Sequence, residues 1–405
     1  MKPFVAIRTN ACGGSGGAAT LRDLSKALKN SGAGVAHVSE RGNWSSQLAA
    51  RRKPYGASNC DFSSDVMQWK YLYKSINRPA PRHQLAQTSP LGTLFRATAD
   101  FIDFAENRLT GHKPQPMGAA VTVGFDLTQH KLFFPQAKAV LNHAGSPSTF
   151  IQWWSSKTPA SSRAETYKRN LQQYSGVLFQ AQVHALEAVA LGAVEPGLAI
   201  VLRPACNESS VANAQRESSP FRSHRRSIVY VGSMQERKDQ ATAIRAFAQI
   251  VNTHKDVDLH LVGGSSRFGY LDELRALAAG LNVANRVRFW GHRGDSSRFI
   301  AHATIVLQTS RSEGVSRTLR EAAFLGKPIV ATSLSGTVEL LSHEGGWLCD
   351  VGKHEEIGSA LDAALTSGEA HERANCAQQR YRTSWSWNKY SADVAALAKR
   401  WQLLK

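Results

Sequence analysis

Between residues 228 and 332 short apolar runs alternate with longer amphipathic segments, and this alternation constrains the fold more tightly than any other feature of the chain. The runs are Ile228-Val229-Tyr230-Val231, Leu259-His260-Leu261-Val262, Val287-Arg288-Phe289, Thr304-Ile305-Val306-Leu307 and Pro328 to Thr332. Between them Gln240 to Val251, Leu271 to Ala279, Ser296 to Ala301 and Ser316 to Leu325 read as helices. Strands that alternate with helices return to the same edge of a sheet, so they pair in parallel and both faces are covered. The pattern predicts a doubly wound α/β domain.

The front of the chain repeats the scheme less cleanly. Phe4-Val5-Ala6-Ile7 reads as a buried strand, Gly13-Gly14-Ser15-Gly16-Gly17 as a loop, and Ala18 to Lys29 as a helix with Leu21, Leu24 and Leu28 on one face. Strand-like runs follow at Val35 to Val38, Ala119 to Val123, Ala139 to Asn142, Gly176 to Phe179 and Leu198 to Leu202. Asn207 to Ser227 is polar, Ser-rich and basic without apolar periodicity, which suits a linker. The expected organisation is therefore α/β throughout: a Rossmann-like domain over 1–206, a linker over 207–227, a second Rossmann-like domain over 228–385 and a C-terminal helical segment over 386–405. Tyr390 to Leu404 is helix-like, and core packing accounts for Trp385, Trp387 and Trp401.

Composition narrows the partners. The 405 residues include 49 Lys+Arg against 31 Asp+Glu, a net charge of +18 that is heavier toward the front. No zinc-finger spacing, RNA-recognition signature or heptad-bearing basic region accompanies this charge, so nucleic acid is not an expected partner. An anionic membrane face or an acidic acceptor fits better, and the densest patch is Arg51-Arg52-Lys53-Pro54-Tyr55 with Trp69-Lys70-Tyr71-Leu72-Tyr73-Lys74. A solvated helix face would read the same way. No apolar run approaches a membrane span and the N-terminus lacks a signal-peptide core, which predicts a cytoplasmic protein, peripheral at most on the inner face of the membrane. Cys12, Cys60, Cys206, Cys349 and Cys376 are scattered, with no Cys-x-x-Cys pair, and read as reduced thiols.

The most informative stretch runs from Glu313 to Ala331. Ser316 suits an N-cap, Gly326 the position after the last turn, and Pro328 a helix stop, so a helix spans about 317 to 325. Gly314 permits close approach of a ligand, and the free N–H groups at the helix start suit phosphate. A carboxylate just before that terminus competes with an anion, so Glu313 suits hydroxyl recognition, and Glu321, one turn inside, suits a ribose.

With that much read from the residues, the spacing Glu-x7-Glu, followed by Ala-x-x-Gly-x-Pro and a strand, resembles the motif of retaining glycosyltransferases of family 4 with the GT-B fold. The similarity continues through Tyr230-Val231-Gly232-Ser233, Lys238, Leu261-Val262-Gly263-Gly264, Phe289-Trp290-Gly291-His292 and Gln308-Thr309-Ser310, and more weakly through Gly16-Gly17 and Asn142-His143-Ala144-Gly145. The resemblance implies two Rossmann-like domains facing across a cleft, the last helix crossing back to the first. It implies a nucleoside-diphosphate sugar as donor, a hydroxyl acceptor in a bacterial envelope polysaccharide or glycolipid, and no cofactor or metal. By the same similarity Glu321 would hold the ribose and Glu313 the sugar hydroxyls. Gly314, Val315 and Ser316 would surround sugar and phosphates, Arg237 or Lys238 would clamp the diphosphate beside Gly16 and Gly17, and His143 would reach the sugar from the first domain. Where many relatives carry Arg after the glycine matching Gly232, this chain has Ser233, with Arg237 as the substitute.

Other readings explain less. Gly14-Ser15-Gly16-Gly17-Ala18-Ala19 with Glu40 fits a dinucleotide fingerprint and an NAD(P)-dependent oxidoreductase. The polar loop from Arg8 to Gly13 is long for that motif, and the Glu313 to Ala331 stretch stays unexplained. A nucleotide-sugar epimerase shares the architecture, and a non-catalytic basic binding protein is the alternative outside enzymes. Asp256-Val257-Asp258 invites a metal reading, but it precedes its strand, at the end opposite the ligand side, and reads as a surface turn.

Overall fold

The computed structural model describes residues 4–8, 16–38, 121–123, 138–143, 145–148, 151, 160–221, 224–265 and 267–402. In the second half the apolar runs become β7 (Arg226–Val231), β8 (Val257–Val262), β9 (Val287–Gly291), β10 (Ile305–Gln308), β11 (Ile329–Thr332) and β12 (Trp347–Cys349). Strands β8, β10 and β11 are buried along their whole length, as strands covered on both faces must be. The sheet order is β12-β11-β10-β7-β8-β9, with every pair parallel. Because β7 begins the domain and sits inside the sheet, the chain reverses direction across it between β7 and β10. That crevice, beyond the carboxyl ends of the strands, is where such sheets hold ligands.

Two layers of helix close the sheet. On one face α5 (Gln240–Ile250), α6 (Tyr270–Gly280) and α10 (His354–Thr366) bring Phe247, Leu274 and Leu361 into one core. On the other lie α7 (Ser296–Ala301), α8 (Arg317–Phe324), α9 (Ser335–Leu341) and α11 (Glu369–Ser384), with Phe299, Leu319, Leu340 and Tyr381 buried together.

The first domain contains β1 (Phe4–Arg8), β2 (Gly34–Val38), β3 (Val121–Val123), β4 (Lys138–His143), β5 (Gly176–Phe179) and β6 (Ala199–Val201), in the parallel order β2-β1-β3-β4-β5-β6. Helix α1 (Gly16–Asn30) covers one face, and α2 (Ala160–Leu171) and α3 (Gln182–Ala190) cover the other. The last helix, α12 (Trp387–Arg400), returns to this domain, where Tyr390, Val394 and Leu397 share a core with Leu24 and Leu28 of α1.

Three local expectations change. Helix α1 begins at Gly16, so Gly16 and Gly17 form its first turn instead of a loop before it. The polar segment after Asn207 contains α4 (Glu208–Arg216): Asn207 accepts from Ser210 N, and Val211 and Ala214, three apart, are buried on one face. The two small apolar residues are too few to stand out against the surrounding Ser and Asn. Finally, Asp258 lies inside β8 and is 4% exposed, so only Asp256 fits a surface turn. Arg225 and Arg286 both donate to the Asp258 carboxylate, each at 2.7 Å through Nε. Burial disfavours this charge, but the two guanidinium groups overcome that and hold the carboxyl below its ordinary range. Asp258 is thus a tie between the starts of three strands.

Candidate active site

The turn after β7 and the turn after β10 meet at the crevice, and a ladder of bonds knits them. Tyr230 Oη donates to Lys238 O at 2.5 Å, Thr309 Oγ1 to Asp239 O at 2.7 Å, and Arg311 N to Arg237 O at 2.9 Å. Asp239 holds a left-handed backbone with φ of 51° and caps α5 through Thr242, while Arg311 Nε donates to its carboxylate at 2.9 Å. Gly263 is packed so closely that a Cβ there would lie 1.9 Å from Gly232 O, which fixes glycine at the end of β8.

This frame presents Glu313. Its Oε1 contacts Lys238 Nζ and accepts from Gln308 Nε2 and Ser310 Oγ, both at 3.2 Å; Arg237 Nη1 stands 3.7 Å from Oε2. Arg237 also donates to Ser312 O at 2.7 Å. The Lys238 side chain is 14% exposed and that of Glu313 12%, so the pair is largely withdrawn from water. Burial, and secondarily Arg237, pull the Lys238 ammonium below its ordinary value, while contact with the carboxylate works the other way.

Eight residues further on, Glu321 is the second carboxylate, and its side chain is 3% exposed. Ser316 caps α8 by accepting from Leu319 N, and Thr318 Oγ1 donates to Val231 O at 3.1 Å, which seats the helix start over the end of β7. Arg317 Nε donates to Glu321 Oε1 at 2.7 Å and Ser297 Oγ to Oε2 at 2.8 Å. Each carboxylate oxygen keeps a further lone pair for a ligand hydroxyl. Gly326 ends the helix with φ of +64°, as its place in the sequence predicts.

The structure brings together Arg237, Lys238, Glu313, Gly314, Val315, Ser316 and Glu321; the Val315 side chain packs into the core, leaving its backbone at the turn. His143, at the end of β4, is 4% exposed and bonded within the first domain. Its Nδ1 lies 2.9 Å from Gly145 O, which can only accept, so Nδ1 carries the proton and Nε2 accepts a hydrogen bond from the Tyr167 hydroxyl at 3.0 Å. Burial lowers its pKa to about 4. Gly16 and Gly17 open α1 after β1, where the order of the first sheet also reverses. Gly13, Gly14, Ser15, Glu40, Arg51, Arg52, Lys53 and the segment from Trp69 to Lys74 lie outside the described residues, as do Cys12 and Cys60. Among the described residues no cluster of His, Cys, Asp and Glu could hold a metal ion, and no helix is long and apolar enough to cross a membrane. Cys206, Cys349 and Cys376 are free thiols.

Sequence reasoning missed three side chains. Arg317 was legible as an i, i+4 partner of Glu321. Ser297, from α7, carries no sequence signal for this contact. His184, in the first turn of α3, is fully buried, and neither ring nitrogen has a hydrogen-bond partner among the described residues. It marks the seam between domains: a Cβ on Gly336 would lie 3.2 Å from His184 Cε1 and 2.0 Å from Gly314 O. Beside it Glu339 accepts from the amides of Gln182 and Val183 and from Arg203 Nε, at 2.8–2.9 Å.

Two tandem parallel α/β domains with a crossing C-terminal helix form the GT-B fold. Solved structures agree across nearly the whole chain. Anabaena Alr3699/HepE, solved with UDP and glucose, superposes with a TM-score of 0.68 at 18% identity, covering 98% of this chain and 99% of that one. WaaG, a glycosyltransferase involved in lipopolysaccharide biosynthesis, gives 0.65 at 17% identity over 97% and 99%. Residues 211–382 match the family model of glycosyl transferases group 1. Among curated relatives, the lipopolysaccharide core biosynthesis glycosyltransferase LpsE of Rhizobium meliloti is 28% identical over 148 residues, 36% of this chain and 41% of that protein. The D-inositol 3-phosphate glycosyltransferase of Corynebacterium jeikeium is 30% identical over 223 residues, 53% and 52% of the two chains. The chain thus spans about half the length of the curated relatives it matches, or less.

Proposed function

We propose that this protein is a retaining glycosyltransferase that moves a sugar from a nucleoside diphosphate to a hydroxyl acceptor. The observation that carries the reading is the meeting of Lys238 and Glu313 at the crevice between β7 and β10, with Glu321 on the helix that follows. Ribose hydroxyls would donate to Glu321 and sugar hydroxyls to Glu313. The Lys238 ammonium, freed from Glu313 by the arriving sugar, would turn to the diphosphate together with the amides at the start of α8. As the bond to the sugar breaks, charge grows on the leaving diphosphate. Fixed cations and N–H dipoles aimed at it lower the barrier without reorganisation, so we expect no divalent cation to be required. No side chain is assigned as a covalent nucleophile. Attack on the same face as departure, with the leaving phosphate taking the acceptor proton, is the step we favour.

Two further readings rest on likeness. WaaG and LpsE are named for lipopolysaccharide synthesis, which supports a glycan of the bacterial envelope as acceptor and a cytoplasmic enzyme working at the inner membrane face. A contact of Arg51, Arg52 and Lys53 with anionic lipid would serve that location, at about 1 kcal/mol per cation. His143 reaching the sugar, and Gly16 and Gly17 facing the diphosphate, remain part of this proposal.

The test is a panel of nucleotide sugars screened for thermal stabilisation and for slow hydrolysis by the full chain. One donor is expected to stabilise the fold and be hydrolysed, with the effect lost in Glu321→Ala. Stabilisation by none, or undiminished hydrolysis in that variant, would overturn the assignment.

A further inference from the structure

Helix α8 opens on two backbone N–H groups, those of Arg317 and Thr318, with no acceptor among the described residues, because Ser316 Oγ serves Leu319 N instead. The Arg317 side chain belongs to the same corner. It is 49% exposed, its Nε is fixed on Glu321 Oε1, no hydrogen bond to its Nη groups is found among the described residues, and the carboxylates of Glu321 and, more weakly, Asp23 of α1 act on its charge. The neighbouring cations are engaged. Lys238 sits on Glu313, Arg237 on Ser312 O, and Arg311 on Asp239. Arg320 is buried, with Nη1 on the carbonyls of Pro204 and Ala205.

A guanidinium is a planar fork that can serve a carboxylate on one edge and a phosphate on the other. With N–H···O bonds of about 2.9 Å on each edge, the second acceptor falls roughly 6–7 Å from the carboxylate oxygen. A ribose hydroxyl one hydrogen bond, about 2.7 Å, from that carboxylate oxygen can then belong to the same nucleotide as the phosphate. We propose that Arg317 is a phosphate-binding residue of the donor site, holding the phosphate nearest the ribose through its Nη groups while Nε stays on Glu321. The proposal rests on the reading of Glu321 as the ribose carboxylate and adds a recognition element to it. The pair Arg317–Glu321 then works as a bracket that rewards a hydroxylated sugar and a phosphate in one molecule. A nucleoside satisfies only half of it.

Titration calorimetry of the full chain decides this. UDP, GDP, ADP and TDP are titrated first, and the tightest is compared with its own nucleoside against wild type, Arg317→Gln, Arg317→Lys and Glu321→Gln. Arg317→Gln should weaken the diphosphate about 10- to 100-fold and leave the nucleoside within about twofold, since a charge-assisted contact is removed from one and not the other. Arg317→Lys, which keeps the charge and loses the fork, should fall between. Glu321→Gln should weaken both ligands. Wild-type affinity for the diphosphate in Arg317→Gln overturns the proposal, as does equal loss for nucleoside and diphosphate, which would reduce Arg317 to a positioning residue for Glu321. If Glu321→Gln still weakens both ligands, the donor-site reading survives that failure. If none of the four nucleotides binds wild type, the donor-site reading falls and the proposal with it.

Discussion

The two domains share one architecture but treat their polar groups differently. In the second, the charged side chains at the crevice meet one another, Lys238 with Glu313 and Arg311 with Asp239 across two turns and Arg317 with Glu321 along α8. In the first, the residue the family resemblance puts forward, His143, is enclosed, bonded to Gly145 and Tyr167 and packed at a tilt against the Phe179 ring. A cluster of charges held by each other can exchange partners when an anion or hydroxyl arrives, at modest net cost. A buried neutral imidazole has no such freedom. The contrast places the exchangeable charges in the second domain, and the donor recognition proposed above would therefore be prepared there.

The largest effect expected follows from Glu313. Glu313→Gln keeps the volume and removes the charge, and transfer should fall about 10²–10³-fold, the scale for losing a preorganised electrostatic contact. Thermal unfolding should change far less. Steady-state transfer with the donor found by screening is the measurement, and a loss below threefold would move the chemistry out of this crevice.

Acid should weaken both domains by the same mechanism. Burial lowers His143 and His260 to about 4 in the folded protein, against 6.5 for the free group. Below pH 6.5 the unfolded chain therefore binds more protons, and stability present above that value is lost as pH falls from about 6.5 to about 4. Each group accounts for about 3 kcal/mol across that window. Denaturant unfolding at stepped pH should show this slope, and His143→Gln and His260→Gln should each flatten it. A slope unchanged by both substitutions would show that neither imidazole carries the effect.

Asp258 separates a strand tie from a metal ligand. Asp258→Asn leaves Arg225 and Arg286 facing a neutral group, and we expect a loss of about 2–3 kcal/mol in stability. Chelation by EDTA should change neither that loss nor the turnover of wild type. Reversible loss of transfer in EDTA with the fold intact would reopen the metal reading.

The smallest effect is expected at the seam. His184→Leu removes two buried ring nitrogens that have no partner among the described residues, and should raise stability by about 1 kcal/mol. A measured destabilisation above that size would mean that the imidazole is held by groups the described residues do not include.

Much of the second domain was legible because its code is local. Short strands built on apolar runs, helices between them, Ser316 as cap and Gly326 as stop all rest on neighbours in sequence, and α7 matched its predicted bounds of Ser296 to Ala301. Helix α4 was missed because two small apolar residues, Val211 and Ala214, supply its whole buried face. Glu313 and Glu321 were legible through a spacing. What holds them from afar was not: Lys238 reaches Glu313 from the turn after β7, 75 residues away, and Ser297 reaches Glu321 from another helix. Asp258 shows the same limit, since two arginines, 33 residues before it and 28 after it, turn an apparent surface acid into a buried one.

Hydrogen exchange with and without a nucleoside diphosphate is the most direct measurement of the claim that the donor is held by the second domain. At saturating ligand, amides of the turn at 232–239 and of residues 309–321 should gain protection first and most. The first domain should change mainly near the seam around Gln182, Val183 and His184. Protection confined to β1 and α1, with 232–239 and 309–321 unchanged, would contradict the account.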